Sequence, residues 1–207
     1  MAILIFLGSS LLNVQELSFG EFKSYFPNRD LPLIFDNYSD KNGEIIPSEL
    51  ALTFICKGDS SLLTFENIGI NQETQEVVYK EVKPYNYNGY AKFEANNFHL
   101  LIYDGYVEDG SHEFTKLINI GLFSNEGDLM DEMPFYIFDD TGELKERTGQ
   151  ITTSHRILIM KKDYIKNEKG IFTRSYKEIT ETYEIEKETG KFIKTNESVT
   201  VVDKSKK

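Results

Sequence analysis

From Leu62 to the C-terminal end, apolar and polar residues alternate at a period of two, the repeat of a strand with one covered face. The candidate strands are 61–66, 76–82, 89–95, 97–104, 114–123, 134–139, 150–162, 171–186 and 191–202. Phe98, Leu100 and Ile102 fall on one face of the fourth; Ile151, Ile157 and Ile159 fall on one face of the seventh. Reversal signals sit between later strands at Asn125-Glu126-Gly127, Asp140-Thr141-Gly142, Glu168-Lys169-Gly170 and Glu188-Thr189-Gly190. Gly accepts the positive φ that closes a turn with a bulge. Strands joined in sequence by such turns predict a mainly β fold, an antiparallel up-and-down meander. About nine strands is near the size at which an open sheet curls, so the expectation is a strongly curved sheet or partial barrel. The uneven spacing of the turn glycines argues against propeller blades. Within 171–186, Phe172 and Tyr176 lie on even positions whereas Ile179, Tyr183 and Ile185 lie on odd ones. A one-residue slip near Lys177 reconciles them and predicts a β-bulge or bend there.

Before Leu62 the pattern is mixed. Ser18-Phe-Gly-Glu21 fits a capping box, with Phe22, Tyr25 and Phe26 following at helical spacing until Pro27. Leu31–Phe35 reads as a short strand and 37–43 as a polar loop. A second helix is expected from a Ser48 cap to Lys57, with Leu50 over Phe54 and Ala51 over Ile55, stopped by Gly58. The organisation is therefore a leader or signal remnant over 1–17, a short two-helix N-terminal subregion over 18–60, and the meander over 61–203, the last two forming one compact domain. The stretch Ala2–Leu7 is apolar and followed by Gly8-Ser9-Ser10. It reads as a truncated signal peptide before a buried strand or a disordered leader, and it is too short to span a bilayer.

Composition sharpens this picture. Apolar residues make up 40% of the chain, and 15 Phe with 12 Tyr suit half-covered pleated surfaces; both argue for a folded protein. The net charge of −11 is uneven: residues 151–207 hold 13 Lys/Arg against 9 Asp/Glu, and residues 1–150 hold 10 against 25. An acidic body repels phosphate backbones, so no nucleic-acid partner is expected. The single cysteine, Cys56, excludes an intrachain disulfide and reads as an inert buried thiol.

Candidate chemistry is sparse. Tyr38 to Glu49 resembles a calcium loop, with Asp40, Asn42, Gly43, Ile45 and Glu49 at fitting positions. Tyr38, however, stands where the first carboxylate should coordinate, and Pro27 and Pro32 interrupt the entering helix; an ordinary turn and helix cap is the plainer reading. Asp104, Glu108, Asp109, His112 and Glu113 put carboxylates and an imidazole within one polar hairpin loop, a solvated loop unless a second element adds a group. Tyr85, Tyr87 and Tyr90, interleaved with Asn86 and Asn88, can form an aromatic-amide platform for a sugar or peptide, and are the candidate ligand-binding residues. The plainer reading is a Tyr-rich loop folded back on the sheet. His99 and His155 read as strand histidines without a role. There is no phosphate loop, nucleophile elbow or dinucleotide fingerprint, so no catalytic residue, metal or cofactor is expected.

Phe22–Tyr25–Phe26-Pro27, Cys56-Lys57-Gly58-Asp59-Ser60-Ser61-Leu62-Leu63, Gly89-Tyr-Ala-Lys-Phe93 and Phe98–Leu100–Leu101-Ile102 give the chain a recognisable rhythm. In this it resembles uncharacterised bacterial cell-envelope or secreted proteins made of a short helical start and a β-meander with charged Gly turns. The resemblance implies export, often as a lipoprotein, and brings no activity with it; no cysteine near the start is placed to carry a lipid. The expectation is a non-enzymatic cell-envelope or secreted binding protein with a protein or glycan partner. One alternative is an acidic immunity or inhibitor protein neutralising a basic toxin in the cytoplasm or the same compartment. A weaker one is a hydrolase or lyase using the 104–113 loop.

Overall fold

The structure, a computed structural model, describes residues 17–35, 43–70, 74, 77–95, 97–105, 115–139 and 146–203. The expected leader, the first half of the calcium-like loop, the tip of the 104–113 loop and the Asp140-Thr141-Gly142 turn lie outside them. In chain order the elements are α1 (Phe19–Ser24), β1 (Leu33–Phe35), β2 (Glu44–Ile45), α2 (Ser48–Phe54), a 3₁₀ turn (Ser60–Leu63), β3 (Thr64–Ile70), β4 (Val77–Pro84), β5 (Asn88–Ala95), β6 (Phe98–Asp104), β7 (Thr115–Phe123), β8 (Leu129–Asp139), β9 (Glu146–Ile151), β10 (Ile157–Lys166), β11 (Phe172–Glu186) and β12 (Lys191–Val202).

The main sheet is an antiparallel meander. Strands β5 to β12 lie side by side in sequence order, β2 pairs with β5 at one end, and β12 is the other edge. The sheet is not closed into a barrel. The outer side of β5 is occupied by β2 through Glu44 opposite Gly89 and Ile45 opposite Asn88. The β3–β4 hairpin consequently pairs only with itself, as a separate two-stranded sheet. This corrects the expectation that 61–66 and 76–82 extend the meander.

A second correction concerns 150–162, which is two strands and not one. Thr152–Arg156 turns the chain so that Ile157 faces Ile151 and Ile159 faces Gly149. The expected slip at Lys177 also moves. That residue pairs regularly with Asp163 and with Val201. The irregularity lies at 173–175, where three β11 residues stand against Ile165 alone. Thr173 and Ser175 satisfy each other across it, and the Ser175 hydroxyl bonds Asp203 at 3.0 Å. At Gly127, Gly170 and Gly190 the backbone has φ of +100°, +76° and +63°, the left-handed conformation expected of those turns.

Strand β6 is buried on both faces and divides the core. Leu100 and Ile102 pack with Ile118, Ile120, Leu122, Ile151, Ile157 and Ile159 on one side; β1 covers this side with Leu33 and Phe35. On the other side, Leu101 and Tyr103 lie beneath Phe22 and Phe26 of the α1 region and Leu50 and Ala51 of α2. Ser18 caps α1, accepting from the Glu21 amide at 3.1 Å as its sequence predicts. Helix α2 is shorter than expected: Pro47 stands at the cap and Ser48 opens the first turn. It ends with the Gly58 amide bonded to the Leu52 carbonyl at 2.8 Å. No helix among the described residues is long and apolar enough to cross a membrane.

Candidate functional site

The three tyrosines singled out from the sequence do not form one exposed platform. Three residues apart in extended chain, Tyr87 faces the helix side and Tyr90 the β1 side, which the bulge between Gly89 and Ala91 lets Tyr90 share with Ala91. Tyr87 and Tyr90 are only 2% and 3% exposed. Tyr85 is half-buried and meets Tyr87 edge-on, with ring centres 4.8 Å apart. Each hydroxyl has an internal acceptor: Gly105 O at 2.8 Å for Tyr85, Leu62 O at 3.2 Å for Tyr87, and Asp104 Oδ1 at 2.7 Å for Tyr90.

Asp104, counted from the sequence with the polar loop, is 7% exposed at the end of β6. Besides the Tyr90 hydroxyl it accepts from the Asn88 amide at 3.0 Å and the Asn88 Nδ2 at 2.6 Å. A carboxylate so occupied holds β5 on β6, with three of its roughly four acceptor sites taken by Asn88 and Tyr90. Glu108, Asp109, His112 and Glu113 lie outside the described residues, as do Asp40 and Asn42. Among the described residues no group of three His, Cys, Asp or Glu is placed to hold a metal ion.

Beneath α2, Cys56 is buried, and burial pushes its thiol above the ordinary range despite an opposing hydrogen bond with Tyr87. Tyr103 donates to Glu132 Oε1 at 2.8 Å, and its hydroxyl is pushed well up, first by burial and then by the Glu132 charge. These groups are held in their neutral forms.

Among the described residues, two clefts and the long β12 edge stand open. The first cleft, of about 310 Å³, runs between α1 and the β5–β6 pair and is lined by Lys23, Asn28, Lys92, Glu94 and His99. Sequence reasoning missed it because Lys23 and Lys92 are far apart in the chain. They meet because Asn28 bridges to Lys92, whose amide bonds the Pro27 carbonyl at 3.1 Å. A second, shallower cleft of about 640 Å³ is bordered by Ser154, His155, Arg156, Glu184 and Lys187. Here Arg156 pairs with Glu184 at 2.9 Å. His155 has φ +59° in the β9–β10 turn and is not the strand residue expected.

The long open edge is β12. It follows the 15-residue β11 as a 12-residue strand, with its residues exposed apart from the partly covered Phe192 and Val202. Past the last β9 pair, Lys162 opposite Glu146, strands β10 to β12 run on as a three-stranded arm. Near its root Glu181 is 6% exposed, flanked by Lys161 and by Lys194 at 3.4 Å, and accepts from the Tyr183 hydroxyl at 3.0 Å. Burial opposes its ionisation, but hydrogen bonds from Lys161, Tyr183 and Lys194 prevail and hold the carboxyl below its ordinary range. Beyond that ionic root the same face becomes apolar again, with Ile179 half-covered and Val199 and Val201 at 54% and 63% exposure. Compared with family models, curated proteins and solved structures, the chain has no match.

Proposed function

We propose that this chain is a non-enzymatic binding protein of the cell envelope or exterior, and that it takes an extended segment of a partner protein along β12. The observation that supports the reading is an edge strand ending in an exposed apolar run. Free edges recruit strands because their outward amides and carbonyls lack partners, and natural proteins blunt such edges with Lys, Pro or bulges. The first half of β12 has such devices, Lys191, Lys194 and a bulge at Thr195. Its second half, Asn196–Val202, carries no Pro, Gly or Lys and offers Val199 and Val201 as side-chain anchors. Three hydrogen bonds from Asn88 and Tyr90 engage Asp104, which favours a structural over a catalytic role for that residue.

A photo-crosslinking residue at Thr200, introduced in the cells that make the protein, tests this. The expected result is one defined protein adduct, lost when Val199→Lys and Val201→Lys are combined, while a crosslinker at exposed Lys57 gives none. An adduct with a strongly basic toxin would point to the immunity reading. No adduct at Thr200, or the same products from both sites, overturns strand addition.

A further inference from the structure

The cleft at Lys23 and Lys92 is independent of the β12 edge, and its chemistry runs against the charge of the whole chain. In a protein of net charge −11, these two half-buried ammonium groups converge on one cavity with no carboxylate partner among the described residues. The Lys23 Nζ bonds His99 Nε2 at 3.0 Å, and the Lys92 Nζ bonds the Lys23 carbonyl at 3.0 Å. Both acceptors are uncharged. An ammonium has three N–H donors and each of these spends one on the bonds named, so four donors remain at the cavity wall or toward solvent. Capping the short helix α1 explains one proton of Lys92 and nothing of Lys23.

The surroundings hold these groups in place. Lys23 lies 4.9 Å from the centre of the Phe19 ring, and Phe93 forms part of the wall. Burial, then the nearby Lys23 charge, lowers the His99 pKa; Glu94 on β5 and a hydrogen bond with Asn125 act the other way but do not prevail. A neutral His99 serves as the acceptor that orients Lys23. With Lys23 and Lys92 positive and Glu94 negative at the rim, the cavity keeps one net positive charge. Its donors are point charges, with the Asn28 amide beside them and no guanidinium fork. That set suits the spread acceptors of a tetrahedral oxyanion better than the planar pair of a carboxylate.

We propose that the cleft formed by Lys23, Asn28, Lys92 and His99 is a binding site for a phosphate or sulfate group carried by a small molecule. The volume of about 310 Å³ lies at the small end of ligand sites, enough for a compact anion and one attached ring.

Inorganic phosphate, sulfate and acetate, each exchanged against chloride at constant ionic strength and neutral pH, test the site by calorimetry and amide NMR. Saturable binding of phosphate or sulfate is expected, with shifts centred on Lys23, Lys92 and His99; the tighter of the two identifies the group. Lys23→Met and Lys92→Met keep the apolar stems and should each weaken binding roughly tenfold or more, the loss of one charged hydrogen bond. Lys187→Met, at the other cleft, should change nothing. The proposal is overturned by shifts that do not saturate, by acetate binding as tightly as the tetrahedral anions, or by affinity unchanged in both cleft variants with their amide spectra intact.

Discussion

Asp104 illustrates how a residue of apparently catalytic type can be wholly structural. Its carboxylate accepts from three donors supplied by Asn88 and Tyr90, all on the neighbouring strand, at the point where the β5 bulge interrupts the ladder. The side chain thus replaces backbone bonds that the bulge removes. Replacing it with Ala strands those donors in a buried place, whereas Tyr90→Phe removes one donor and keeps the shape. The expected losses are on the order of 3 kcal/mol for Asp104→Ala and about 1 kcal/mol for Tyr90→Phe, from urea unfolding midpoints at constant slope. Equal small losses would mean that the network contributes little. The sequence offers Tyr87 and Tyr90 either as one platform or, more plainly, as part of a loop folded back on the sheet. Their odd spacing of three residues already puts them on opposite faces of an extended chain; the bulge adds that Tyr90 shares its face with Ala91.

Among the elements, those legible in the sequence carry their own punctuation. Strands β5, β6, β7, β11 and β12 fall within two residues of expectation because glycine turns or strict alternation bound them. The Ser18 cap was legible for the same reason: its side chain makes the bond that its identity predicts. The β9–β10 reversal was hidden because Thr152–Arg156 contains no Gly, Pro or Asn, and His155 itself takes the left-handed conformation. Strand β2 is two residues long and owes its existence to the vacant edge of β5, a tertiary fact. Gly149 was passed over as well, although the sheet forks there. Strand β9 pairs with β8 only at Arg147 opposite Ile137, and from Gly149 onward its outer side pairs with β1. A Cβ on Gly149 would sit 2.4 Å from two Phe135 ring carbons and 2.6 Å from the Phe135 carbonyl oxygen. Gly149→Ala should therefore destabilise by about 1–3 kcal/mol, and trimming the ring with Phe135→Leu should recover little, since the carbonyl remains. Full recovery in the double variant would place the conflict in the ring alone.

For the molecule as a whole, two cores share β6, and β10–β12 joins them through the β9–β10 ladder, through Ile157 and Ile159 in the core, and through Tyr183, Ile185 and Phe192 packed against it. The Phe192 amide bonds Asp131 Oδ2 at 2.8 Å, the Gly190 turn packs beside Phe98 and Met130, and Glu181 ties β10, β11 and β12 together. Acid acts on this arrangement in two ranges. His99 has a folded pKa below its ordinary 6.5, so the unfolded chain binds more protons as pH falls beneath that value, and stability declines there. Glu181 has a folded pKa below its ordinary 4.5; its contribution is complete above that value and is lost as pH falls through the depressed one. Urea midpoints measured from pH 7 to pH 3 should therefore drop in two legs. His99→Gln should flatten the upper leg and leave the lower, and Glu181→Gln should lower the plateau and flatten the lower leg. Because Glu181 sits at the root of the arm, amide exchange in β11 and β12 should quicken in the lower range before exchange in β6 does. Simultaneous quickening of β6 and β12 would show that arm and body unfold as one unit, with the ionic root no weaker than the shared core.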